Sequence, residues 1–179
     1  MAANSKRAGR LVAVMAAMTV VGWLADGHQA VAADGAGDRV RGTDSRARAV
    51  ISRAEQASPT IAALLGALNA TDVVVMVQVT LMPVPLGGDM RMLAATATCR
   101  YLAVRLDARR SPGEQMEFLG HELQHAKEVA EAKDVRDEEG LARLMARIGR
   151  KTGNGTFETD AAVQVGRLVR REITQGARF

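Results

Sequence analysis

A run of β-branched residues in the middle of the chain, flanked on both sides by helix-forming sequence, restricts the fold more than any other feature. Residues 72–82 read DVVVMVQVTLM, and residues 90–107 read MRMLAATATCRYLAVRLD after the turn sequence PVPLGG. In the last segment Leu102, Val104 and Leu106 alternate with other residues, which is the period of a strand with one buried face. We therefore expect a small, mainly antiparallel sheet, and an α+β fold for the chain as a whole.

Helical patterns lie on both sides of this sheet. Two helices are predicted before it, in SRARAVISRAEQA and TIAALLGALNA, separated at Ser58-Pro59. A third is predicted from Pro112 to about Ala132, because Ser111, Pro112 and Glu114 have the spacing of a capped helix start. Two C-terminal helices follow, one at 138–150 and one in FETDAAVQVGRLVRREI, with the loop KTGNGT between them.

The first residues have the features of an export signal. A basic head, MAANSKRAGR, precedes an apolar run from Leu11 to Ala25, and the small residues of AVAAD follow. This run is shorter than the roughly 20 residues that cross a bilayer, so cleavage after Ala32 or Ala33 is favoured over an uncleaved membrane anchor. We divide the chain into a signal peptide at 1–32, a flexible leader at 33–43 and one domain at 44–179, exported to the periplasm or secreted.

Composition excludes some classes of function for the mature chain. Removing 32 of the 179 residues leaves 147, enough for one domain with a core. Lys6, Arg7, Arg10 and Asp26 leave with the signal, so the net charge falls from +4 to +2. A near-neutral chain with few aromatic residues lacks the basic, stacking surface that nucleic acids require. A single cysteine, Cys99, permits no internal disulfide, and a buried, inert thiol is its expected role.

Both histidines of the mature chain lie in the sequence FLGHELQHAKEV, on the third predicted helix. Positions i and i+4 share a helix face about 6 Å apart along the axis, so His121 and His125 can bind one ion, with Zn²⁺ as the favoured cofactor. Glu122 is rotated by about 100° from His121, which suits a general base that takes a proton from an activated water. The alternative is a surface helix with two incidental histidines.

HELQH resembles the signature of the zincin metallopeptidases. No glycine and third histidine follow it, unlike the metzincin branch, and this leaves the gluzincin branch. The resemblance implies a third metal ligand, a glutamate from a later helix, and Glu158 in TFETDAAVQVGR matches that position. The C-terminal part of the chain, from RYLAVRLD through HELQH to ETDAA, also resembles short exported bacterial proteins that look like minimal gluzincins.

The chain departs from the gluzincin pattern at several places, among them Lys127, where the extended peptidase pattern prefers an apolar residue. Ala162 stands where gluzincins often carry an aspartate, so Asp160 is expected either to orient a motif histidine or to be the ligand itself, and Glu128 is a further candidate for the supporting role. The mature chain also has no spare histidine to stabilise a tetrahedral intermediate. Tyr101, its only tyrosine, is the candidate donor for that purpose, with core packing as the alternative.

Two functions from different classes follow from these observations. The favoured one is a zinc metallopeptidase that hydrolyses peptide or protein substrates with Glu122 as general base, and in which the strand from Tyr101 to Asp107 forms a sheet edge that pairs with the peptide. The alternative is a non-catalytic exported binding protein with a structural zinc site. A structural site is closed by four protein ligands, whereas a catalytic one keeps an open position.

Overall fold

The computed structural model describes residues 38–152 and 156–176. The predicted signal peptide at 1–32 lies outside these residues, as do residues 33–37 of the predicted leader. Within the described ranges, no helix combines the length and the apolar character that crossing a bilayer requires.

The two leading helices are present as predicted. Helix α1 (Ser45–Ala57) begins where Asp44 accepts a hydrogen bond from the Ala47 N–H, and α2 (Pro59–Asn69) begins where Ser58 accepts one from the Ile61 N–H. Pro59 occupies the first position of α2, where its missing N–H removes no helical hydrogen bond. These local signals explain why one helical stretch is divided into two.

The main sheet contains β1 (Val40–Gly42), β2 (Val73–Thr80), β3 (Gly88–Ala95) and β4 (Arg100–Asp107), in the order β1-β2-β4-β3. The α+β class is confirmed. The sheet is mixed rather than mainly antiparallel, because β1 and β4 both run parallel to β2 and only the β3–β4 pair is antiparallel. The chain crosses to the outer strand β3 first and then returns between β2 and β3, so consecutive strands β2 and β3 are not neighbours.

Residues 40–42 correct the predicted leader. They form β1, in which Val40 pairs with Val75 and Gly42 with Val77 on the edge of β2. The ordered domain thus begins before Asp44, because the backbone of the leader completes the edge of a hydrophobic strand.

Helix α3 (Pro112–Glu131) lies at the centre of the molecule, in contact with α1, α2 and the sheet. Its buried face joins Leu119, Leu123, Ala126 and Val129 to the valines and leucines of β2 and β4. The remaining elements are α4 (Glu138–Ile148), the hairpin strands β5 (Arg150–Lys151) and β6 (Phe157–Glu158), and α5 (Asp160–Gly176). Helix α5 packs on α3 at Gly120, where a β-carbon would lie 2.7 Å from Val169 Cγ2, so the two helices can approach closely only with glycine there.

Candidate metal centre

Helix α3 presents the two motif histidines to a common point. Its start has the complete capping box, in which the Ser111 side chain accepts from the Glu114 N–H and the Glu114 carboxylate accepts from the Ser111 N–H. The helix is therefore well defined through the motif. The rings of His121 and His125 lie 4.8 Å apart, edge to face at 80°.

Glu158 completes a group of three side chains with these histidines. Its Oε2 atom lies 2.7 Å from His121 Nε2 and 3.7 Å from His125 Nε2. One ligand atom from each of the three residues lies within 4.8 Å of the others, so His121, His125 and Glu158 could hold a metal ion.

The element that carries Glu158 differs from the expected one. The sequence placed this residue at the opening of the last helix, but it lies in β6, whose partner is β5 in a small antiparallel hairpin. Helix α5 begins two residues later, at Asp160. The hairpin, rather than a helix, brings the carboxylate to the histidines.

The environment of Glu158 Oε2 tests whether these residues fit a cation. The atom is buried, and among the described residues it has no assigned hydrogen-bond partner, although His121 Nε2 lies 2.7 Å from it. Burying such an oxygen is costly unless something pairs with it. Neighbouring ligand atoms of a tetrahedral zinc are about 3.3 Å apart, given bonds of about 2.0–2.2 Å, and the two measured separations lie on either side of that value. The three residues fit a metal ion.

Electrostatics at the centre also favour a cation. Burial opposes charge on Glu158, but the close polar contacts with His121 and His125, and the attraction they exert, outweigh it and lower the pKa of Glu158 to about 2. Burial likewise opposes charge on His125, yet Glu128 and Glu158 outweigh it and raise the pKa of His125. The surrounding carboxylates therefore stabilise positive charge at this point.

Glu122 lies beside these three residues, but its carboxylate points toward strand β3. The residue is 5% exposed, and its side chain faces β3, where a β-carbon on Gly88 would lie 3.0 Å from Glu122 Oε1. Glycine at that position lets the backbone of β3 approach the carboxylate. Burial raises the pKa of Glu122 to about 7, which is the range in which a carboxylate is effective as a general base near neutral pH.

The residue that orients His125 is Glu128. Its Oε2 atom is 2.9 Å from His125 Nδ1, and its Oε1 atom accepts a hydrogen bond of 2.7 Å from Thr159 Oγ1. With a proton on Nδ1 donated to Glu128, the Nε2 atom of His125 is left as a ligand. Sequence reasoning missed Thr159, which precedes α5 and accepts from the Ala162 N–H, and its position as a helix cap was the available signal.

Two predicted residues lie elsewhere. Asp160 is exposed and pairs with Arg150 at the surface, so the supporting role suggested for it is filled by Glu128. Tyr101 lies five residues before Leu106, the partner of Gly88 on β4, and is therefore about 17 Å along the strand from Glu122. Tyr101 does not line the cavity beside the candidate metal centre, so its position does not support the oxyanion role expected of it.

A cavity of about 390 Å³ opens beside the metal centre. The lining includes β3 from Gly88 to Arg91 and a group of apolar residues from α4 and β6, namely Leu141, Ala142, Met145 and Phe157. The cavity can therefore accept an extended chain with an apolar side chain near His121, His125 and Glu158.

Comparison of the chain with models of known protein families, with curated proteins and with solved structures finds no match.

Proposed function

We propose that the protein is a zinc-dependent peptidase with a zincin-like centre. The observation that carries this proposal is the arrangement of His121, His125 and Glu158 around one point, with the buried Glu122 directly beside them. An ordinary helix with incidental histidines would not bury a carboxylate here and leave Glu158 Oε2 without a partner among the described residues.

The donor set favours zinc. Two imidazole nitrogens and one carboxylate oxygen are the usual ligands of catalytic zinc, which keeps a further position for water or substrate. When bound, zinc supplies a Lewis acid for a carbonyl group and lowers the pKa of water toward roughly 7.

Glu122 is the proposed general base. Burial raises the pKa of Glu122 to about 7 in the metal-free protein, and the positive charge of a bound zinc would favour the ionised form. The carboxylate would then be available to take a proton from the attacking water at neutral pH and to return it to the departing amine. Gly88 keeps the space between this carboxylate and the substrate edge free of side-chain atoms.

The strand Tyr101–Asp107 was expected to bind the peptide, but the structure favours a different strand, β3, for this role. Strand β4 has β2 on one side and β3 on the other, so both of its edges are already paired. The outer strand β3 lines the cavity, and its free edge can pair with an extended peptide. The expected export signal implies that this peptidase acts outside the cytoplasm.

Metal content provides the first test. We expect one zinc per chain in purified residues 33–179 after reloading, measured by mass spectrometry. His121→Ala and Glu158→Ala should lose the metal, whereas Asp160→Ala, which breaks only a surface ion pair, should retain it. Absence of stoichiometric metal in the wild type would overturn the proposal.

Glu122→Gln separates the peptidase from a binding protein with a structural zinc. We expect this variant to keep its zinc and to lose cleavage of a proteome-derived peptide library, with products identified by mass spectrometry. Cleavage at the wild-type rate by Glu122→Gln would exclude Glu122 as the base. Zinc binding without cleavage in the wild type would favour the binding protein.

A further inference from the structure

The free edge of β3 offers backbone groups at every second residue. The Asp107 N–H donates to the Gly87 carbonyl at 2.9 Å, so Gly87 and Asp107 form a hydrogen-bonded pair. Because such pairs alternate along an antiparallel ladder, the backbone N–H and C=O groups of Asp89 and Arg91 also point toward β4. Gly88, Met90 and Met92 consequently direct their N–H and C=O groups away from β4. An added strand would pair with these three residues.

The segment between α3 and α4, together with the first residue of α4, already occupies one end of this edge. The Met92 N–H donates to Glu138 Oε2 at 2.8 Å, and the Arg136 guanidinium donates to the Thr96 carbonyl. The pairing of β3 with β4 is also irregular between Met92 and Ala94, which ends the regular ladder at the same place. Beyond Met90 the edge is therefore covered by the protein's own side chains.

Among the described residues, no strand pairs with the opposite end of the edge, which lies next to the proposed catalytic group. Gly88 faces the Glu122 carboxylate, and both Gly88 and Met90 line the cavity. Glu138 also lines this cavity, at the first position of α4. An extended peptide that pairs with Gly88 and Met90 meets Glu138 at its next pairing position.

We propose that Glu138 is a specificity-determining residue that closes the β3 edge at Met92 and limits the length of peptide that the cleft can pair with. This inference rests on the proposed function for its biological meaning, while the closure itself is a property of the fold. A substrate gains nothing from further residues on the Met92 side, because the N–H that would bind them is already bonded. Peptides that end near this point, rather than long extended segments, are the class of ligand favoured.

The experiment compares zinc-loaded wild type with Glu138→Ala, Glu138→Gln and the control Glu139→Ala. Glutamine retains an oxygen that can accept from the Met92 N–H, and alanine does not. Glu139 is the next residue of the same first helical turn, but its exposed side chain pairs with Arg143 outside the cavity. Glu139→Ala therefore reproduces the loss of a negative charge at the start of α4 without opening the edge.

Two readouts are measured on each protein. Amide hydrogen exchange at Met92 should become about tenfold faster in Glu138→Ala and stay near the wild-type rate in the other variants, as expected for loss of a bond to a charged acceptor. Binding is measured by calorimetry with a nested series of alanine–leucine peptides that increase in length from a dipeptide. The affinity of the wild type should stop rising at a shorter peptide length than the affinity of Glu138→Ala. In that variant, each further residue that pairs with β3 on the Met92 side should raise the affinity roughly threefold to tenfold.

The outcomes distinguish this inference from the proposed function. Equal Met92 exchange in wild type and Glu138→Ala overturns the closure, and identical length profiles overturn the specificity role even if exchange changes. Failure of any peptide to bind also overturns that role. A longer limit in Glu138→Ala, with no peptide cleaved by wild type, leaves Glu138 as the limiting residue and shows that the peptidase proposal has failed.

Discussion

Two buried polar clusters contact helix α3. The polar atoms of one are fully hydrogen-bonded, whereas the other contains a buried oxygen without a hydrogen-bond partner among the described residues. At the C-terminal end of α3, the fully buried Arg100 forms two bonds to Asp72 of 2.8 and 2.9 Å and donates to the carbonyls of Val129 and Ala132 at 2.7 Å each. Beside the middle of α3, the Oε2 atom of Glu158 on β6 is buried and has no hydrogen-bond partner among the described residues.

The comparison shows that one helix contacts two clusters whose polar atoms are satisfied to different degrees. The Arg100 cluster pairs a buried charge with an opposite charge and with the carbonyls that every helix end leaves unsatisfied. The candidate metal centre instead contains a buried carboxylate oxygen, Glu158 Oε2, that has no hydrogen-bond partner among the described residues and that a bound cation would pair with. We expect disruption of the first cluster to cost stability and disruption of the second to cost metal binding or activity.

The largest expected effect is that of Arg100→Met. The substitution leaves Asp72 and several carbonyls at the end of α3 without their donor, and we expect a loss of about 3–5 kcal/mol in the free energy of unfolding. Urea denaturation provides the measurement. Arg143→Met, which removes an exposed ion pair with Glu139, is the control and should change stability by roughly 0.5 kcal/mol or less. A loss below about 1 kcal/mol in Arg100→Met would contradict the structural role assigned to Arg100.

Glu122→Gln should have the next largest effect, and it should increase the free energy of unfolding. Burial raises the pKa of Glu122 from 4.5 to about 7, so the folded wild type loses stability as the pH rises from 4.5 through 7. Glutamine carries no such charge. In EDTA, we expect the variant to be more stable than wild type by up to about 3 kcal/mol at about pH 8 and to be nearly equal to it at about pH 4. Equal stability at both pH values, measured by urea denaturation, would show that Glu122 is not desolvated.

Glu128→Ala is expected to weaken zinc binding by about 10–100-fold, because it removes the group that orients His125. Competition with a fluorescent zinc chelator gives the affinity. Glu128→Gln should recover part of it, since the amide oxygen can still accept from Nδ1. Glu131→Ala, which removes an exposed carboxylate paired with Lys127 on the same helix, serves as the control and should bind zinc as the wild type does.

Tyr101→Phe should have the smallest effect. The residue adjoins Arg100 on β4 but does not line the cavity, so loss of its hydroxyl should change the rate of peptide cleavage by less than roughly twofold. A much larger fall in kcat with unchanged stability would return Tyr101 to the catalytic residues and would require a different position for β4.

The features that could be predicted from the sequence are those coded by neighbouring residues. The start of α3 at Pro112 follows from Ser111 and Glu114, and the common face of His121 and His125 follows from helical spacing. Glu158 was predicted as the third member of the group through a resemblance, and the structure brings it to the histidines on a hairpin strand rather than a helix.

The features that could not be predicted depend on contacts between distant parts of the chain. The insertion of β4 between β2 and β3 depends on long-range packing that no local pattern records. Arg100 was missed for the same reason, since its acceptors at Asp72 and at Val129 lie far from it in the sequence, one on each side. A basic residue in the last turn of α3 would have been a local signal, but none is present there.

The separation of the three candidate ligands along the chain has a consequence for biosynthesis. His121 and His125 emerge from the ribosome on one helix, and Glu158 follows only after α4, on the hairpin that precedes α5. A chain interrupted before β6 retains both histidines and lacks the carboxylate. Capture of a metal ion by all three residues would thus require that synthesis and folding have reached β6, and a chain interrupted earlier would lack the complete group.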